Sequence, residues 1–219
     1  MDDKALLRYS RQILLPQWGY EAQPRLLQAR VLVGGAGGLG SASALYLAAA
    51  GVGTLYLADA DTVELSNLQR QIIHDTPSVG LPKVISAQRR LEALNPDCQV
   101  IPLPQRLEPT DLATYVPQMD IVLDGSDNFA TRFAVNAACV AAGKPLVSGA
   151  ALGWQGQVAV FANQTPADAC YACLYPVGDE AAPTCSANGV LAPLVGVIGA
   201  MQAVEALKWL TQTGQTVRN

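Results

Sequence analysis

Arg30-Val-Leu-Val-Gly34-Gly35-Ala-Gly37-Gly38-Leu-Gly40 is a short apolar strand that runs straight into a glycine loop spaced G-x-G-x-x-G. An Ala- and Leu-rich helix, Ser41 to Ala50, follows at once. Gly51-Val-Gly53 closes it, and Thr54 to Ala58 reads as the next strand. Strand, loop, helix and strand make one βαβ unit of about thirty residues. Its glycines allow the backbone to approach a phosphate, and the helix N-terminus offers free N–H groups at the positive end of a dipole. The G-x-G-x-x-G spacing alone is weak evidence, because a close-packed glycine turn satisfies it as well. Asp59 strengthens the nucleotide reading. It ends the second strand, where an acidic side chain can hold ribose hydroxyls.

The same alternation continues outward. Pro82 to Leu94 reads as a polar-faced helix stopped by Asn95-Pro96, and Gln99 to Leu103 as a third strand. Pro109 to Tyr115 is a helix, Asp120 to Asp124 a fourth strand, Phe129 to Ala142 a helix closed by Gly143, and Pro145 to Ala150 a fifth strand. This order predicts an α/β fold, a doubly wound and mainly parallel, Rossmann-like sheet. Gly156 to Phe161 alternates in the manner of an antiparallel strand, Asn163 to Pro183 reads as an exposed crossover loop, and Gly189 to Thr211 as a last long helix. The expected organisation is one domain over residues 1–219. It has an N-terminal helical arm at 1–29, a nucleotide-binding βα core at 30–150 and an antiparallel C-terminal extension at 151–219.

Bulk properties narrow the function classes. The chain of 219 residues suffices for one generous domain. It is 50% apolar, only 15% charged and carries a formal net charge of -4, a soluble composition that argues against a nucleic-acid binder. No signal peptide is apparent before Asp2-Asp3-Lys4, and the apolar run Val190 to Ala203 is too short for a bilayer. A cytoplasmic enzyme without a membrane partner is expected. The five cysteines, Cys98, Cys139, Cys170, Cys173 and Cys185, point to metal or thiol chemistry rather than disulfides.

Two further clusters bear on the class of nucleotide. Asp59-Ala-Asp61-Thr-Val-Glu64-Leu-Ser-Asn67-Leu-Gln-Arg70-Gln71 is followed by Lys83. Asn67, Arg70 and Lys83 suit a triphosphate, whose negative charge grows during displacement. Taken singly, each is equally a surface residue. A nicotinamide-dependent dehydrogenase fits poorly, because the chain leaves no room for a substrate domain and its one histidine is His74. The second cluster, Asp124-Gly-Ser-Asp127-Asn128, ends the fourth strand, where open α/β sheets bind ligands. Asp127 is a candidate Mg2+ ligand, and Asp127 or Asn128 is equally a cap for the next helix.

These motifs resemble the bacterial MoeB/ThiF/HesA group, relatives of the ubiquitin-activating enzymes. The resemblance runs from Arg8-Tyr-Ser-Arg11-Gln-Ile to Ala206-Leu-Lys208. It includes Gly-Ala-Gly-Gly-Leu-Gly at 35–40, Ser-Asn-Leu-Gln-Arg-Gln at 66–71, Gly-Leu-Pro-Lys at 80–83, Asp-Gly-Ser-Asp-Asn at 124–128 and Cys-Tyr-Ala-Cys at 170–173. Pro145 to Ala150 and Gly189 to Gly196 lean toward the branch that activates molybdopterin synthase. The resemblance implies that Asp59 holds the ribose, that Asn67, Arg70 and Lys83 bind the phosphates of ATP, and that Asp127 binds Mg2+. It implies a homodimer in which Arg11 reaches the other subunit's site. The substrate it implies is the Gly-Gly tail of a ubiquitin-like carrier of the MoaD or ThiS kind, converted to an acyl-adenylate. A catalytically inert binding module, or a relative acting on tRNA, is the rival reading. Intact Arg11, Asn67, Arg70, Lys83 and Asp127 argue against the inert one.

Two cysteine readings complete the expectations. Cys185 precedes the last helix, where a helix N-terminus can lower a thiol pKa. The resemblance implies that ThiF-like members take up the acyl group on a cysteine here and that MoeB-like members need not; a buried loop cysteine is the alternative. Cys170 and Cys173 form half of a Cys₄ zinc site whose other Cys-x-x-Cys the family supplies near its C-terminus. That second pair is absent from the 219 residues. The expectation is either a further tail that carries it or a vestigial motif, with zinc binding by these residues weak in both cases. Cys98 and Cys139 are expected to be buried apolar cysteines.

Overall fold

The computed structural model describes residues 1–175 and 189–217. Six strands form one sheet: β1 (Arg30–Gly34), β2 (Thr54–Ala58), β3 (Gln99–Leu103), β4 (Ile121–Asp124), β5 (Leu146–Leu152) and β6 (Gln155–Phe161). Their order across the sheet is β3-β2-β1-β4-β5-β6; the first five are parallel and β6 is antiparallel to β5. The chain leaves β1 toward β2 on one side and later returns to place β4 on the other. The switch point of the winding therefore lies between the carboxyl ends of β1 and β4.

Alternation along the strands sends side chains to two apolar layers. Val31, Val33, Leu55, Leu57, Ile121 and Leu123 pack into one layer beneath α3 (Gly38–Ala50), α4 (Lys83–Leu94) and α8 (Ala192–Thr211). Leu32, Val122, Leu146 and Phe161 face the other, beneath α5 (Pro109–Tyr115) and α6 (Phe129–Ala142). The N-terminal arm is two helices, α1 (Asp3–Ile13) and α2 (Gly19–Gln28). Tyr9 of α1 is buried, and its hydroxyl accepts from Asn95 Nδ2 at 3.0 Å, which ties the arm to the end of α4.

The structure departs from the sequence reading at several boundaries. Helix α3 begins at Gly38, not Ser41, so Gly38 and Gly40 lie inside its first turn. The last helix begins at Ala192, with Pro193 suited to a first turn, not at Gly189. The preceding residues are used in a bridge: Gly153 N–H donates to Gly189 O at 3.0 Å, and Leu191 N–H donates to Gly153 O at 3.0 Å. The expected exposed loop after Asn163 carries a helical turn, α7 (Tyr171–Leu174). Its Tyr171 is fully buried, edge-on to Phe133 and Phe161 at 5.5 and 6.0 Å, so apolar burial anchors this segment to the sheet. Helix α8 is long and apolar enough to span a bilayer by composition, but its Val195, Ile198, Gly199, Ala203 and Ala206 are buried against the sheet and α3.

Candidate functional site

A cleft opens at the switch point, and most of the residues expected from sequence meet there. The glycine loop contributes Gly35, Gly37 and Gly38, the chain after β2 contributes Asp59 and Asp61, and the next segment Arg70 and Gln71. Lys83 enters from the first turn of α4, and Asp127 and Asn128 from the loop after β4. Two loop glycines have separate reasons. Gly35 sits at φ +94°, a conformation that side chains rarely adopt. Gly40 does not line the cleft; a Cβ there would lie 1.8 Å from Gly35 O, so it permits the close approach of α3 to the loop.

Asp59 holds the loop directly. Its Oδ2 accepts from Ala36 N–H at 2.8 Å and its Oδ1 from Asp61 N–H at 2.9 Å. Each carboxylate oxygen keeps a further lone pair for a ribose hydroxyl. Lys83 is buried, and its ammonium donates to Asp61 Oδ2 at 2.7 Å; the carboxylate is itself 69% exposed. Arg70 lines the cleft and donates from Nη1 to Ser66 O at 3.1 Å, a bond to its own turn that leaves its other guanidinium donors uncommitted among the described residues. Gln71 is buried with its Oε1 unpartnered among the described residues.

Beside β4 the two readings of the Asp-Asn pair separate. Asn128 caps α6, its Oδ1 accepting from Thr131 N–H at 2.9 Å. Asp127 is exposed and lines the cleft. Arg132 shapes this loop, donating to Ser126 O at 2.8 Å from Nη2. Asp124 is fully buried; burial pushes its carboxyl up against the lowering effect of Arg132, and its Oδ2 has no partner among the described residues.

Other expected residues lie elsewhere. Asn67 is buried and does not line the cleft; its Oδ1 accepts from Glu64 N–H at 3.1 Å and caps the 3-10 turn Leu65–Asn67. Arg11 is exposed on α1 and is absent from the lining of its own chain's cleft. Cys170 and Cys173 lie beside α6 with sulfurs 3.6 Å apart, away from the cleft. Burial raises the Cys170 thiol pKa, but N–H donors from Asn136 and the following backbone outweigh it and lower the pKa overall. Cys98 and Cys139 are buried, and burial pushes both thiols up to about 12. Cys185 lies outside the described residues.

The sequence reading missed Arg106, which enters the cleft from the carboxyl end of β3 and adds a third cation. The strand-end rule that marked Asp59 and Asp127 applies to it equally. It also missed Val190 and Val195, which close the cleft from α8 and the residues before it.

Comparison with known proteins agrees with this geometry. The chain is 48% identical over 215 residues to the molybdopterin-synthase adenylyltransferase of Escherichia coli K12, covering 98% of this chain and 86% of that one. It is 49% identical over 213 residues to the sulfur carrier protein ThiS adenylyltransferase of the same organism, covering 96% and 84%. Identity therefore does not separate the two branches. Among solved structures, Escherichia coli MccB with ATP superposes with a TM-score of 0.83 at 26% identity, covering 96% of this chain and 65% of that one. The ThiF family model matches residues 9–219, nearly the whole chain, and the protein belongs to the ThiF family.

Proposed function

We propose that the protein adenylates the C-terminal Gly-Gly carboxylate of a small ubiquitin-like sulfur-carrier protein and releases pyrophosphate. The observation that carries the reading is the combination in one switch-point cleft of a glycine loop held by Asp59 with Arg70, Lys83 and Arg106. A ribose-binding carboxylate beside three cations suits a nucleoside triphosphate. The adenylyltransferase relatives named above support the same chemistry.

In the proposed reaction a carboxylate oxygen attacks the α-phosphorus of ATP. The bond from that phosphorus to the bridging oxygen breaks, and pyrophosphate leaves with the electron pair. A chain-terminal carboxyl has a reference pKa of roughly 3.5, so the nucleophile is ionised at neutral pH without a general base. The obstacle is repulsion between the carboxylate and the triphosphate. Lys83 and Arg70 offset it, and the buried ammonium of Lys83 is already oriented by Asp61. Asp127 supplies an exposed, hard oxygen ligand at the cleft and suits Mg2+, which is commonly held by one or two carboxylates together with substrate phosphates. When bound, Mg2+ neutralises phosphate charge.

We infer a homodimer with Arg11 of one subunit serving the other's cleft. Its support is that Arg11 is exposed on a separate helical arm and absent from its own cleft. Cys170 and Cys173 supply half of a structural Cys₄ zinc site, since thiolates at about 2.3 Å in a tetrahedral site stand about 3.8 Å apart, close to the 3.6 Å between their sulfurs; two thiolates alone hold zinc weakly. ATP use supports the cytoplasmic location expected from the sequence. Equal similarity to the ThiS-directed relative keeps a ThiS-type carrier as the second reading. ATP–pyrophosphate exchange with MoaD-type and ThiS-type carriers side by side is the test. Exchange with one carrier names the substrate, and exchange with neither overturns the proposal.

A further inference from the structure

We propose that His74, the chain's one histidine, is a positioning residue that fixes the Ala36–Gly37 peptide so that Gly37 N–H is presented to the nucleotide. The inference rests on the nucleotide reading of the cleft. Ala36 is buried at the crest of the glycine loop, and both of its backbone polar groups are gripped by side chains from elsewhere. Its N–H donates to Asp59 Oδ2 at 2.8 Å, and its carbonyl accepts from His74 Nε2 at 2.9 Å. A carbonyl only accepts, so the ring proton sits on Nε2. In the neutral ring Nδ1 then accepts from the Ser86 hydroxyl at 2.9 Å.

Ser86 lies one turn beyond Lys83 on α4, so the imidazole is a strut between the glycine loop and the helix that carries the phosphate-facing lysine. The backbone N–H of His74 donates to Gln71 O at 3.1 Å, which joins the residue to the segment bearing Arg70 and Gln71. The ring is buried. Burial and nearby Lys83 lower its pKa, while the Ala36 carbonyl, Asp59 and Asp75 oppose them; the balance favours the neutral form.

The geometry has a direct consequence for the ligand. The Ala36 carbonyl and the Gly37 N–H belong to one planar trans peptide and point in opposite directions. Holding the carbonyl on the imidazole therefore turns the Gly37 N–H away from His74. Gly37 lines the cleft, and its N–H has no partner among the described residues. Without the imidazole, a buried carbonyl loses its donor, and the peptide gains by rotating to find another. Asp59 alone does not prevent this, because it holds the preceding peptide.

The experiment compares His74→Phe, which keeps a ring without a donor, with His74→Gln, whose amide nitrogen can donate near the position of Nε2. Leu26→Ala is the control for lost stability. Leu26 is buried at the opposite end of the sheet, where its carbonyl accepts from Gly53 N–H ahead of β2. ATP affinity by calorimetry, KM for ATP in carrier-dependent exchange, and the melting temperature are measured for each. His74→Phe is expected to weaken ATP binding about tenfold, as loss of one buried hydrogen-bond donor implies, with KM for the carrier unchanged. His74→Gln is expected to restore most of that affinity, and Leu26→Ala to melt earlier with normal ATP affinity. Wild-type ATP affinity in His74→Phe, or loss of affinity in Leu26→Ala in step with its melting, overturns the proposal. If His74→Phe does not fold, Ser86→Ala takes its place; it is expected to raise KM for ATP severalfold, and an unchanged KM overturns the proposal. Failure of the wild-type protein to bind ATP would refute the nucleotide reading instead.

Discussion

Replacing Lys83 with methionine separates a catalytic charge from a structural one. The Lys83 side chain is 8% exposed and its ammonium lies 2.7 Å from Asp61 Oδ2, while the Asp61 side chain is 69% exposed. Methionine keeps much of the apolar stem and removes the ammonium. The carboxylate left behind is open to water, so no buried charge is stranded. The stability change is therefore within about 1 kcal/mol, the range for a pair with one well-solvated partner. The opposite change, Asp61→Asn, leaves the ammonium buried without its counter-charge. It is expected to cost about 2 kcal/mol, below the figure for a fully buried pair because Asp61 is exposed. Activity should show the reverse emphasis. A preorganised charged donor at developing negative charge contributes roughly a hundred- to a thousandfold in rate, about 3–4 kcal/mol. Lys83→Met should accordingly melt near the wild-type temperature and lose carrier-dependent ATP–pyrophosphate exchange by about two to three orders of magnitude. A folded Lys83→Met protein that exchanges at a near wild-type rate would refute the assignment of Lys83 to the phosphates.

Asp127→Ala should abolish exchange at every Mg2+ concentration while α6 stays intact, because the cap is Asn128; near-normal exchange would remove Asp127 from the metal role. Arg11→Ala and Lys83→Ala subunits, each inactive alone, should recover about a quarter of wild-type activity when mixed, since half of randomly paired dimers contain one complete site of two; confirmed mixed dimers without recovery would show that sites are not shared. Metal analysis of the 219-residue chain after dialysis against a weak chelator should find little zinc, as Cys170 and Cys173 are the two close sulfurs among the described residues. One tightly held zinc per chain would require further ligands.

What was legible in the sequence follows from how each signal is encoded. The strands are buried on two faces and read as short apolar runs, so β1 to β3 fall on the expected residues. Asp59, Lys83 and Asp127 follow strand ends or open a helix, and local order sufficed to place them in one cleft. Spacing alone left open which of Asp127 and Asn128 caps α6, because that depends on which side chain reaches Thr131 N–H. Long-range contacts were invisible. The start of α8 is set by the bridge between Gly153 and Val190, and the anchoring of Tyr171 by ring contacts with Phe133 and Phe161. His74 entered the sequence argument only as the chain's single histidine; its partner Ala36 lies 38 residues earlier.

The central claim is that a carrier's C-terminal carboxylate attacks the α-phosphorus of ATP. It is tested most directly by intact-mass analysis of a Gly-Gly-ending carrier after incubation with enzyme, ATP and Mg2+, beside the same carrier with its terminal carboxyl amidated. The account predicts an AMP adduct and pyrophosphate release with the free carboxylate and neither with the amide. An adduct on the amidated carrier, or no adduct on a free-acid carrier that binds the enzyme, would contradict it.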